Sequence, residues 1–386
     1  RSWNASSSKV ERELNMYFCL SEDQIFFQDN IKKYLEEQAS IEIVKKISQG
    51  DNNLQQEIHN GLVNLGISGL LIPEKYGGLD LNILFATATS QALGFGINPS
   101  SFLASYVLAP LAILEAGSPN QQQELLPKIV NDEIRFGVGL TEFVGAREDA
   151  KVLVKNSKIN GRSLFVIDTK NATHFIIANS EGNLFIVNAQ SENLQINDLI
   201  TIDRTRNFSE IVFENVDVEV LPLSEQTNKY CSKIANIGRV ILAADTLGAA
   251  QCMIDKSIAY TMERKQFDRL IGSFQAVKHM CAEMTADIEP CFAMVWHAGH
   301  NFDEQSNEAL MMACHAKAHI SEIGKNIAKK ATEVHGGMGF TDLLGLHFWF
   351  KRIGMNRQLL GAPEVLRREA AHHQGFLRCA PVPRSC

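Results

Sequence analysis

The chain has 386 residues, of which 45% are hydrophobic and 21% charged, and its formal net charge is −7. This composition is ordinary for a folded globular protein and excludes disorder over most of the length. An acidic surface repels a phosphate backbone, and no block of Lys or Arg offsets it, so nucleic-acid binding is not expected.

The sequence predicts neither a membrane span nor a secretory signal. No apolar run approaches the roughly 20 residues that span a bilayer, and the Ser-rich stretch Arg1–Val10 lacks the apolar core of a signal peptide. The eight cysteines form no CxxC pair, and Cys252 and Cys281 fall at apolar helical positions. We therefore expect a reducing compartment, the cytoplasm or, in a eukaryote, the mitochondrial matrix.

Residues 20–130 follow an extension, 1–19, and have helical periodicity. Ile58, Leu62 and Leu65 recur at helical spacing. The run Pro73–Gly78 interrupts the pattern, because proline and paired glycines favour turns. Further helices are predicted over Leu84–Leu93 and Leu103–Ala116.

Residues 131–226 change to short β-rich runs separated by turn signals such as Asn160-Gly161. This spacing predicts an antiparallel β domain built from hairpins. Strands are predicted at Phe136–Leu140, Leu164–Ile167, His174–Ala178, Leu184–Asn188 and Ile211–Phe213.

Residues 227–377 return to long helical patterns, and residues 378–386 are predicted to be a tail. One apolar stripe contains Val277, Met280 and Met284. The order of helices, β domain and helical bundle defines an α+β protein, but this order is shared by several folds.

Four motifs narrow the choice. They lie at Pro73–Leu79, Leu140–Glu142, Arg264–His279 and Glu333–Thr341. In order and spacing, over nearly the whole chain, they resemble the motifs of the acyl-CoA dehydrogenase family. The resemblance implies a fold with an N-terminal helical domain, a middle antiparallel β domain and a C-terminal four-helix bundle.

The resemblance also implies FAD as cofactor, and the chemistry of the residues agrees. Arg264 offers a planar guanidinium for a pyrophosphate, and Gln275 can donate and accept hydrogen bonds at once. Gly336 and Gly337 let the backbone approach a dinucleotide closely, because they carry no Cβ. In the family, the Arg and Gln of one subunit and the Gly-rich segment of its neighbour share one FAD. This implies a homodimer, a homotetramer or a heteromer with a related subunit.

Three more residues match flavin-binding positions of the family. Phe267 belongs to the same motif as Arg264, and Thr141 matches a residue whose hydroxyl and backbone contact the flavin ring. Phe165 matches an aromatic residue on the flavin face. The alternative for Phe165 is an inward-facing core aromatic of a strand.

The sequence departs from the family at the base that removes the substrate's α-proton. Most members carry a Glu at the position of Leu360, and a minority carry it at the position of Gly238. Neither residue can accept a proton. Glu364 is the remaining candidate in this region, against the alternative of a carboxylate that stabilises a helix N-terminus. Glu142 is a further candidate, although the family residue at this position is structural.

Two arginines are candidates for the substrate. Arg239 matches a family Arg close to the substrate end, and Arg147 replaces a small hydroxyl residue, where it could grip a phosphate or fill the acyl pocket. The helical histidines, such as His297 and His315, lack a firm set of metal ligands, and we predict no metal site.

These features predict an FAD-dependent dehydrogenase that forms an α,β double bond in an acyl thioester, either of CoA or of a carrier protein. Electron-transfer flavoprotein is among the partners that the resemblance implies. One alternative is a non-catalytic subunit that shares FAD with a partner carrying the Glu. Another is a flavoprotein oxygenase or oxidase of the same fold.

Overall fold

The N-terminal part of the protein is helical. The computed structural model describes residues 19–145, 151–225 and 228–376. The helices before the sheet are α1 (Glu22–Gln38), α2 (Ile41–Ser48), α3 (Asn52–Asn64), α4 (Ile83–Phe95), a π-helical segment (Phe102–Leu108), α5 (Ala109–Ala116) and α6 (Pro119–Val130).

Polar residues that the sequence places at helix starts act as caps. Ser21 and Gln24 form a reciprocal capping box at α1, and Ser118 and Gln121 form another at α6. The predicted helix over Leu103–Ala116 is instead a π-helical turn followed by α5, which starts one residue before Pro110. A proline in the first turn of a helix is favourable, because its missing N–H has no partner there in any case.

The middle part is an eight-stranded sheet with strand order β6-β7-β3-β1-β4-β5-β8, and β2 pairs with β3. A short helix, α7 (Thr141–Gly145), follows the first strand. The strands are β1 (Phe136–Gly139), β2 (Val152–Lys155), β3 (Lys158–Ile167), β4 (His174–Ala178), β5 (Leu184–Asn188), β6 (Leu194–Asp198), β7 (Phe208–Asp217) and β8 (Glu219–Val220).

The sheet is mixed: its strand pairs are antiparallel, as predicted, except for β1 with β4. β1 runs parallel to β4, with Phe136 opposite His174, whereas β1 is antiparallel to β3, with Val138 opposite Ile167. The β2–β3 hairpin lies between β1 and β4 in the sequence, so no tight turn connects this pair. Only a tight turn requires the two strands that it joins to be antiparallel.

The C-terminal part contains three long helices, with two shorter ones that pack on the last of them. A two-stranded hairpin connects the first two long helices. The elements are α8 (Lys229–Glu263), β9 (Lys265–Gln266), β10 (Arg269–Leu270), α9 (Gln275–Asp303), α10 (Ala309–Val334), α11 (His347–Gln358) and α12 (Pro363–His373).

Helix α8 is the centre of the molecule. By length and composition it could cross a membrane, but 94% of its most apolar stretch is buried inside the protein. It packs against α4 of the N-terminal part and against α9, α10 and α11. The apolar composition of α8 is therefore explained by its position in the core.

One buried arginine connects the three parts of the molecule. The Arg352 side chain, on α11, is fully buried and donates to Asp203 after β6 (2.7 Å), to Asp245 on α8 (3.3 Å) and to the Asn98 carbonyl before the π-helical segment (2.9 Å). Arg206 also pairs with Asp245, at 2.8 Å. Because a buried charge is stable only when paired, these contacts fix the sheet against both helical parts.

Candidate FAD and substrate site

The two positions where the family carries its base face each other across an apolar contact. A Cβ atom on Gly238 would lie 2.6 Å from Cδ1 of Leu360 and 3.1 Å from Cδ2 of Leu108. Carbon atoms pack at about 3.5–4.0 Å, so only glycine leaves room here for the Leu360 side chain. Leu360 is 7% exposed and Leu108 is fully buried. The space is therefore filled by hydrocarbon, without a carboxylate.

The backbone at Leu360 is unusual. Helix α11 ends at Gln358 with Leu359 as its C-cap, and Leu360 then adopts a left-handed conformation with φ of 56°, followed by Gly361 with φ of 113°. A leucine in this region costs about 1–2 kcal/mol, because its Cβ crowds the carbonyl oxygen that follows. Surrounding contacts must hold the segment in this conformation.

Arg239 supplies one of these contacts. Its Nε donates to the Leu360 carbonyl at 2.8 Å, and its two terminal nitrogens bind the Glu369 carboxylate at 2.5 and 3.1 Å. The residue is only 2% exposed. These contacts place Arg239, a predicted substrate residue, behind the Leu360 backbone in the protein interior and not on an open surface.

Glu364 lies in the first turn of α12, and its side chain is 66% exposed. Its own backbone N–H and the Arg357 guanidinium, 2.9 Å away, hold its pKa below the usual range. A base for a weakly acidic carbon acid needs a dry site and a pKa close to the working pH. The surroundings of Glu364 are those of a carboxylate that stabilises a helix N-terminus.

Glu142 lies in α7, and burial raises its pKa to about 7. One of its oxygens accepts the Val152 N–H at 2.7 Å. The carboxylate thus connects α7 to β2, which agrees with a structural role.

The predicted cofactor residues of the helical part lie on the surface. Arg264, the residue after α8, and Gln275, the first residue of α9, are both exposed. Phe267 is 86% exposed at the tip of the β9–β10 hairpin, where its φ is 53°. Within the described residues, the Arg264 guanidinium has no ion-pair partner.

The Gly-rich segment lies at the same end of the helical part. Tyr260, one turn before Arg264, stacks on His335 with 4.6 Å between ring centroids, and the glycines follow His335 directly. Gly336 has φ of 57°, and nothing lies within 4 Å of a Cβ built on Gly336 or Gly337. An unpaired guanidinium suits a pyrophosphate, and open, glycine-lined backbone can lie close to a dinucleotide, so one end of this helical part has the two surfaces that would face FAD.

Thr141, the first residue of α7, lies next to the part of β3 that contains Phe165. The Thr141 hydroxyl donates to the Leu164 carbonyl at 2.6 Å. Phe165 lies in a β-bulge of β3, with φ of 49°, and is 42% exposed. Phe165 therefore faces outward rather than into the core. Arg147 lies outside the described residues, in the gap between α7 and β2.

Two residues of the Leu360 site were missed by the sequence analysis. Leu108 forms its third wall, and Lys317 of α10 reaches the last turn of α11. The available signal for Lys317 is that Ala313, Cys314 and Ile320, three or four positions away on α10, are apolar. A lysine on the apolar face of a helix is unusual, because lysine is rarely fully buried without a partner. No group of three His, Cys, Asp or Glu side chains in the described part of the chain could bind a metal ion.

Comparison with known proteins identifies the class. The family model described as "Acyl-CoA dehydrogenase, N-terminal domain" matches residues 21–133, and the model described as "Acyl-CoA dehydrogenase, C-terminal domain" matches residues 229–374. The chain belongs to the acyl-CoA dehydrogenase family. This family consists of FAD-dependent oxidoreductases that act on CH–CH groups. The predicted family and cofactor are confirmed.

The sequence identity to individual relatives is low. Acyl-CoA dehydrogenase IpdE2 of Mycobacterium tuberculosis is 28% identical, with 90% of this chain and 96% of the relative covered. Subunit CarC of the caffeyl-CoA reductase-Etf complex of Acetobacterium woodii is also 28% identical, with 84% and 90% covered. The mitochondrial short/branched chain specific acyl-CoA dehydrogenase of Bos taurus is 26% identical, with 86% and 81% covered.

Solved structures confirm the fold. The ChsE4-ChsE5 complex from Mycobacterium tuberculosis matches with a TM-score of 0.86 at 21% identity, over 94% of this chain and 100% of that chain. Butyryl-CoA dehydrogenase from Megasphaera elsdenii matches with a TM-score of 0.82 at 20% identity, over 93% and 100%.

Proposed function

We propose that this chain is an FAD-binding subunit of an acyl-thioester dehydrogenase and that another chain supplies the carboxylate that removes the α-proton. The observation that carries the proposal is the contact between Leu360 and Gly238. Gly238 and Leu360, the two predicted positions of the base, are both apolar, and the Leu360 side chain occupies the space that a side chain at position 238 would need. The remaining nearby candidate, Glu364, is exposed and paired with Arg357.

The chemistry explains why the base decides the role of the chain. FAD, when bound, accepts the hydride from the β-carbon of an acyl thioester. The α-proton must leave as well, and a base within hydrogen-bond reach is needed because this proton is only weakly acidic.

The residues of this chain would bind FAD but would not remove the α-proton of the substrate. Arg264 would bind the pyrophosphate of one FAD, and Gly336 and Gly337 would lie close to the FAD that is held by the Arg and Gln of the neighbouring subunit. Thr141 and Phe165 would border the flavin ring.

The names of two relatives support a shared assembly. CarC is named as a subunit of a reductase-Etf complex, and the ChsE4-ChsE5 structure is named as a complex of two chains. We propose by analogy a heteromer with a related chain that carries the Glu, and an electron-transfer flavoprotein as the electron acceptor.

The test is an anaerobic titration of the purified chain, loaded with FAD, with a panel of acyl-CoA thioesters of different chain length. We expect the flavin absorbance to persist with each thioester, because no base is available. Bleaching by any thioester would contradict the proposal.

If bleaching occurs, two variants locate the base. Glu364→Gln and Glu142→Gln each replace a carboxylate by an amide of the same shape. The variant that abolishes bleaching while retaining FAD would identify the base within this chain.

A further inference from the structure

Lys317 is a fully buried lysine without an acidic partner in the part of the chain that the structure describes. It lies in the middle of α10, and its side chain has no exposure to solvent. Its Nζ donates to the Asn356 carbonyl and lies 3.4 Å from the Ser321 hydroxyl. The charged groups that act on it most are Arg239 on α8 and Arg357 on α11, both cations. A lysine in such surroundings is costly to bury, so its position calls for a specific reason.

The Asn356 carbonyl belongs to the last turn of α11. Carbonyls there have no partner within the helix and carry the negative end of the helix dipole. A lysine amine is a favourable donor to such a carbonyl. Lys317 thus caps the C-terminus of α11 from the neighbouring helix α10. The capped carbonyl, that of Asn356, is four residues before Leu360.

The Asn356 side chain is held as well. Its amide donates to Asp245 at 2.6 Å and to Thr246 at 3.2 Å, and its carbonyl oxygen accepts from Arg206 at 2.8 Å. The Lys317 amine thus holds the backbone carbonyl of Asn356, and Arg206, Asp245 and Thr246 hold its side-chain amide.

Beyond this turn, the segment from Leu359 to Gly361 has few bonds of its own. The Leu359 N–H donates to the Met355 carbonyl at 3.2 Å, and the Gly361 N–H donates to the Gln358 carbonyl at 3.3 Å. Leu360 nevertheless keeps a left-handed backbone. Contacts from other helices must therefore define its conformation.

We propose that Lys317 is a positioning residue for the Leu360 site. Together with Arg239, which binds the Leu360 carbonyl, it clamps the end of α11, so that residue 360 points at Gly238 in a left-handed conformation. The backbone conformation at position 360 is then set by the contacts of Lys317 and Arg239, and not by the side chain at that position. This inference is independent of the proposed function, since it concerns the protein without substrate.

The test is hydrogen exchange measured by mass spectrometry on the full chain, with Lys317→Met compared with the wild type. Met has a similar length but cannot donate a hydrogen bond. We expect amides of the peptide that covers residues 356–361 to exchange about tenfold faster or more, because local opening no longer breaks the bond to Asn356. Peptides from α9 and from the sheet should be unchanged.

The matched control is Lys329→Met, the same change on the same helix at an exposed position. It should leave exchange in residues 356–361 unaltered. If Lys317→Met is not recovered folded, Lys317→Gln takes its place: its amide is shorter and does not reach Asn356, so the same local increase is expected. Unchanged exchange in residues 356–361, or an equal increase throughout the helical part, would overturn the proposal.

Discussion

At the residue scale, Lys317 makes stability depend on pH. Burial and the nearby Arg239 and Arg357 lower its pKa from the ordinary 10.5 to about 7. Between these values the unfolded chain binds a proton that the folded chain does not, so the free energy of unfolding rises as pH rises from about 7 towards 10.5. Below pH 7 both states carry the proton, and the cost of the buried charge is present in full.

We therefore expect the wild type to gain stability relative to Lys317→Met as pH increases from 7.5 to 9. The slope of the difference should approach about 1.4 kcal/mol per pH unit, the value for one proton. Urea unfolding of both proteins at several pH values measures this difference. Parallel pH profiles would show that Lys317 keeps an ordinary pKa.

At the element scale, the end of α8 and the β9–β10 hairpin carry the residues that are predicted to bind the cofactor. Arg264 follows the last residue of α8 and has no ion-pair partner among the residues that the structure describes, whereas the Arg269 guanidinium lies 3.8 Å from the centre of the Phe274 ring. A cation that already stacks on a ring is less available for phosphate. Arg264 is thus the better candidate for the pyrophosphate.

Arg264→Ala should weaken FAD binding by roughly 10- to 100-fold, the effect of losing a charge-assisted hydrogen bond. Flavin fluorescence during dilution or dialysis measures the retention. Arg368→Ala, an exposed arginine on α12, is the control and should keep the wild-type affinity. Equal retention in the two variants would remove Arg264 from the cofactor site.

The sequence predicted such elements better than their contacts. Predicted strands at His174–Ala178 and Leu184–Asn188 match β4 and β5 residue for residue, because turns on both sides limit them. The parallel pairing of β1 with β4 was not predictable from local pattern, since a hairpin separates them in the sequence.

At the scale of the whole molecule, the polar contacts that hold the parts together connect residues far apart in the sequence. Arg352 reaches Asp203, 149 positions away, and the Asn98 carbonyl, 254 positions away. Periodicity cannot reveal such pairs. The same holds at the Leu360 site, where motif comparison pointed to Leu360 and Gly238 as separate positions, and only the fold shows that they are in contact.

The proposed lack of a base in this chain can be tested at Leu360 itself, because its side chain lies against Gly238. Leu360→Glu replaces the leucine by a side chain of similar length at the position that Arg239 and Lys317 hold. Anaerobic titration with the same acyl-CoA panel, for this variant and the wild type side by side, measures the consequence.

We predict that at least one thioester bleaches the flavin of Leu360→Glu, whereas the wild type stays oxidised with all of them. The result that would contradict the account is bleaching of the wild type, or a folded, FAD-loaded Leu360→Glu protein that no thioester reduces.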